Sequence, residues 1–103
     1  MDEINQLLAS FRACMATEVL KHRAVKGINQ VLVFVKDINA HRDRYKAKLD
    51  RLRGSTNAIA ECDVVQRQIN EIANDEINLA RTTGRVELFD VLRDDLKRAM
   101  TRN

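Results

Sequence analysis

The residues of this chain best suited to chemistry are few. His22 and His41 are its histidines, and Cys14 and Cys62 are its cysteines. Glu18 stands one helical turn before His22, close enough for a side-chain contact on a helix face. A tetrahedral metal site needs four such groups at close spacing, and no short motif joins these cysteines and histidines. A di-metal helical bundle needs several carboxylates with paired Glu-x-x-His motifs. The single Glu18-x-x-x-His22 therefore reads as a salt contact, and neither a metal nor a cofactor is expected. Ser10, Ser55 and the threonines at 17, 56, 82, 83 and 101 suit helix or cap roles. With glycines only at 27, 54 and 84, there is no glycine-rich phosphate loop. No catalytic residue is assigned, and the chain is not expected to be an enzyme.

Charge is the second resource. The stretch 28–53 holds seven basic and three acidic residues, and 57–83 holds two basic and five acidic ones. Arg44, Lys48 and Arg51 share one helical face, and Arg42 and Lys46 another. Such a stripe suits an acidic protein surface or nucleic-acid phosphates. Folding back beyond residue 53 would also bring Glu61 and Asp63 near Lys46, Lys48 and Arg51. No helix-turn-helix, zinc-finger or basic-zipper signature supports a nucleic-acid reader.

His22-Arg23-Ala24-Val25-Lys26-Gly27 resembles the His-x-x-Lys-Gly motif of histidine phosphotransfer domains, which are four-helix bundles of similar size. The lysine here lies four residues after the histidine rather than three. The resemblance covers six residues and implies phosphoryl transfer through His22.

These residues must be positioned by helices. The chain of 103 residues has no proline, and its three glycines divide it into lengths that each suit a helix. Apolar residues recur at spacings of three and four. They are Ile4, Leu7, Leu8, Phe11, Met15, Val19 and Leu20, then Ile28, Val31, Val35, Ile38, Tyr45, Leu49 and Leu52. A third set is Ile59, Cys62, Val65, Ile69, Ile72, Ala73, Ile77 and Ala80, and a fourth Val86, Leu88, Phe89, Leu92, Leu96 and Met100. Each set is one face of a helix. Gly54 is expected to be the turn between the second and third helices, in the left-handed position after a helix end. Gly84 is expected to open the fourth helix.

The expected fold is all-α: one domain over 1–103, an antiparallel bundle of about four helices broken near Gly27, Gly54 and Gly84. The alternative is a long helical hairpin that runs through Gly27, turns at Gly54 and dimerises.

Val31 to Val35 is apolar on every side, as in a helix central to its bundle or touching a second partner. The leading expectation is therefore a non-catalytic helical protein–protein interaction module: an adaptor, small chaperone or structural subunit. Its partner is another protein or a second copy of the chain. The expected contact residues are Val31, Val33 and Phe34, flanked by Arg42, Arg44, Lys46, Lys48, Arg51 and Arg53. Nucleic-acid association through residues 42–53 is the alternative, and phosphotransfer ranks third. The acidic start Met1-Asp2-Glu3-Ile4 lacks the basic character of a signal peptide, and no run reaches the ~20 apolar residues of a membrane span. A cytoplasmic setting with free thiols and no membrane partner is expected.

Overall fold

Periodicity at three and four residues produces three helices in the computed structural model, which describes residues 2–23, 27–55 and 57–86. They are α1 (Asp2–Arg23), α2 (Ile28–Ser55) and α3 (Ile59–Thr83). Among the described residues there is no strand. Of the expected fourth segment after Gly84, Arg85 and Val86 are not helical, and 87–103 lies outside the described residues.

Gly27 decides the architecture. Its φ of +129° cannot continue a helix, and its carbonyl accepts the Gln30 N–H at 3.1 Å as α2 begins. The chain reverses there, so the alternative of a rod fused through Gly27 does not form. Contacts across α1 and α2 climb one helix as they descend the other: Ser10 with Tyr45, Glu18 with His41, His22 with Asp37. The pair is antiparallel. Arg42–Asn74 and Arg53–Asp63 show the same sense for α2 and α3. All three helices pack on one another.

Gly54 is not the turn. It lies inside α2 with no positive φ, and the reversal falls beyond Ser55, at residues 57–58. The Ser55 hydroxyl donates to the Arg51 and Leu52 carbonyls, which carries the helical end past the glycine. Gly84 caps the end of α3. It is left-handed, at φ +69° and ψ +13°, and its N–H reaches the Ala80 carbonyl at 2.9 Å.

The core is continuous across the three helices. Phe11, Phe34, Ile38, Leu49, Cys62 and Ile69 are fully buried at its centre. Burying each large apolar side chain contributes roughly 1.5–3 kcal/mol. The Phe11 and Tyr45 rings meet edge to face at 5.3 Å, and the Tyr45 hydroxyl lies 2.8 Å from Ser10 Oγ. This contact ties the lower halves of α1 and α2 while keeping a polar tip satisfied.

Candidate functional site

Two carboxylate–histidine pairs meet where α1 faces α2. Glu18 and His22 lie one turn apart on α1, and Asp37 and His41 lie one turn apart on α2. Because the helices are antiparallel, each carboxylate is set against the other helix's histidine. His22 Nε2 is 2.9 Å from Asp37 Oδ2, and His41 Nε2 is 2.9 Å from Glu18 Oε1. His22 Nε2 also stands 3.2 Å from Glu18 Oε2.

Both α1 residues are buried, with Glu18 8% and His22 3% exposed. The His22 ring packs edge to face on Phe34 at 5.6 Å. Asp37 and His41 are half-buried, so the cluster opens to solvent on the α2 side. Donor atoms of Glu18, His22 and Asp37 all lie within 4.8 Å of one another, the spacing of groups able to share one cation.

The protons of the cluster follow from its outer partners. Arg44 can only donate, and its Nη2 lies 2.9 Å from His41 Nδ1. That nitrogen is therefore the acceptor, and His41 Nε2–H donates to Glu18 Oε1. The Gln30 side-chain amide sits against His22 Nδ1. Placed with its nitrogen toward the ring, it donates, and His22 Nε2–H donates to Asp37. Glu18 Oε2 is left buried with no hydrogen-bond partner.

Sequence reasoning treated Glu18–His22 as an isolated contact and missed its counterpart. The available signal was Asp37-x-x-x-His41, the same spacing on the next helix. Two such pairs gain meaning only once the elbow at Gly27 sets the helices antiparallel.

The nine expected contact residues separate into groups. Val31 and Phe34 are core residues, because they continue the stripe of Val35 and Ile38 by one turn. They are not on an accessible face. Val33 is exposed, and so are its neighbours Ile28 and Leu32 and, across the elbow, Leu20. Arg42 bonds Asn39 and Asn74, and Arg53 bonds Asp63 and Gln66. Of the two acidic residues expected near Lys46, Lys48 and Arg51, Asp63 pairs with Arg53 instead. Arg44, Lys48 and Arg51 are exposed, and Lys46 is half-buried. Arg44 and Lys48 flank the Tyr45 ring at 5.4 and 4.8 Å from its centroid.

The cysteines are free, with Cys62 buried in the core and Cys14 half-buried. Burial raises the Cys14 thiol above its ordinary value, and nearby Arg44 opposes that rise. An elevated thiol is a poor nucleophile. His22, the candidate phosphoryl acceptor, has both ring nitrogens engaged inside the cluster, with no nitrogen turned to solvent. Among the described residues no helix is long and apolar enough to cross a membrane. No protein-family model, curated protein or solved structure matches the chain.

Proposed function

We propose that the chain is a non-catalytic helical interaction module that associates with a second copy of itself, as a structural subunit or adaptor. One observation carries this reading: a cluster of large apolar side chains in water at the α1–α2 elbow. Leu20, Ile28, Leu32 and Val33 are 66%, 77%, 62% and 48% exposed, against two further exposed large apolar residues on α3, Ile59 and Val64. Concentrated apolar exposure of this kind marks contact surfaces.

Charge favours a second copy as the occupant. Helix α2 presents Arg44, Lys48 and Arg51, while α3 presents Glu61, Asp63 and Glu71. The basic face of α2 in one copy is complementary to the exposed carboxylates of Glu61 and Glu71 in another, Asp63 being held by Arg53 within its own chain. The roles of adaptor and small chaperone rest on the same surface. The free thiols fit the reducing, cytoplasmic setting that the sequence suggests.

Light scattering across micromolar concentrations tests the proposal. The expected result is a dimer or larger species that becomes monomeric in Leu32→Asp/Val33→Asp, with helical circular dichroism unchanged. A monomer at every concentration would overturn it. Nucleic-acid retention that falls steeply with salt, and is lost in Arg44→Ala/Lys48→Ala/Arg51→Ala, would assign the face to phosphates instead.

A further inference from the structure

We infer that Glu18, His22 and Asp37 form a binding site for one first-row divalent transition-metal ion, of the class of Zn2+ or Co2+. The site is separate from the elbow surface proposed for self-association and does not depend on it.

Ligand identity comes first. The donor set is one imidazole nitrogen, His22 Nε2, and two carboxylate oxygens, Glu18 Oε2 and Asp37 Oδ2. Nitrogen with oxygen donors suits Zn2+, Co2+ and Mn2+.

Geometry comes second. Four ligands at about 2.05 Å around a tetrahedral ion lie roughly 3.3 Å from one another. Here His22 Nε2 stands 2.9 Å from Asp37 Oδ2 and 3.2 Å from Glu18 Oε2. Two edges of a coordination face are thus already close to that length, and the third, between Glu18 and Asp37, is within 4.8 Å and closes onto the ion. Three protein ligands leave a fourth position open to water or a small anion. The side chain of Asp37 is 33% exposed and supplies the entry path.

Electrostatics comes third, and independently points to a cation. Glu18 is more than nine-tenths buried, and its Oε2 accepts no hydrogen bond while facing His22 and Asp37. Two carboxylates share a partly dry site with two histidines, and Arg44 occupies the outer nitrogen of His41, Nδ1. A buried carboxylate oxygen without a partner is costly. A divalent ion bound there compensates both negative charges at once.

The surrounding residues behave as an outer shell. His41 Nε2–H holds Glu18 by its other oxygen, at 2.9 Å, and thereby aims Oε2 inward. Arg44 fixes the His41 tautomer that does this. Gln30 lies against His22 Nδ1. Turning its amide over, a choice set only by the hydrogen-bond network, presents its carbonyl oxygen to Nδ1–H. His22 Nε2 then carries its lone pair toward the metal. Such outer partners are the usual supports of a histidine ligand.

The test uses the untagged full chain. Co2+ is titrated in by its visible ligand-field absorption, and Zn2+ by calorimetry. The expected result is one saturable site per chain, lacking a thiolate charge-transfer band, with affinity unchanged in Cys14→Ser. Asp37→Ala, at a half-buried position, should retain helical circular dichroism and lose affinity by roughly tenfold or more. His22→Gln should lose it as well; if that variant fails to fold, Asp37→Ala decides alone. Absence of saturable binding to the native chain overturns the site. So does a thiolate band, or affinity that survives Asp37→Ala unchanged.

Discussion

Helix α2 has two seams, and they are built from different materials. Against α1 it encloses a polar cluster, with Glu18 and His22 buried beside Phe34 and linked to Asp37 and His41. On α3 the buried positions are apolar from Cys62 through Val65 and Ile69 to Ala73, with the buried carboxylate of Glu76 beyond them, and the ionic contact Arg53–Asp63 stands at the margin of the α2–α3 seam. The two seams look alike as hydrophobic spacing. They differ in what a polar contact is worth. Removing one partner of a buried ionic group leaves a charge without compensation and costs several kcal/mol. An exposed ion pair contributes between about zero and 1 kcal/mol. The α1–α2 seam is therefore vulnerable at single polar atoms, and the Arg53–Asp63 margin of the α2–α3 seam is not.

The strongest way to break this contrast is His22→Leu. It keeps an apolar body of useful size but removes the donor set between Glu18 and Asp37. Urea unfolding should show a loss of roughly 1–3 kcal/mol, as for polar groups left without their hydrogen-bond partner. A loss below about 1 kcal/mol would mean that packing on Phe34 holds the seam and the polar cluster is incidental. The corresponding change on the other seam is Arg53→Ala. Its partner Asp63 has a side chain 57% exposed, so water replaces the lost contact. The expected cost in the same measurement is at most about 1 kcal/mol. A larger loss would show that the α2–α3 margin also depends on charge.

Much of the fold was legible because burial follows period. Ile4, Leu7, Phe11, Met15 and Val19 on α1, and Val65, Ile69, Ala73 and Ile77 on α3, fall where their spacing puts them. Exceptions cluster at helix ends. Ile28 opens α2 and Ile59 opens α3, and both are exposed because neighbouring helices do not cover a first turn there. Phe34 was misread outward, since an all-round apolar run hides which side is inside. It lies three residues after Val31 and four before Ile38, which puts it in the core stripe. The site was less legible. Glu18-x-x-x-His22 and Asp37-x-x-x-His41 are each visible locally. Their pairing depends on a reversal at Gly27, where glycine permitted a continuous helix as readily as a break. The fourth apolar set, from Leu88 to Met100, lies outside the described residues.

The two connections sharpen the contrast with the smallest effect. The elbow joining α1 to α2 uses the positive φ of Gly27, a conformation that a side chain strains. The connection joining α2 to α3 leaves Gly54 in helical conformation, and a Cβ added there meets nothing within 4 Å. Alanine at 54 then narrows the unfolded ensemble and introduces no clash. Gly54→Ala should stabilise the protein by about 0.5 kcal/mol, toward the low end for glycine in a helix because the position is in the last turn. Paired thermal melts read this as a small rise in Tm. A fall instead would return Gly54 to the role of turn residue, and would place the α2–α3 reversal one residue before the helix end at Ser55.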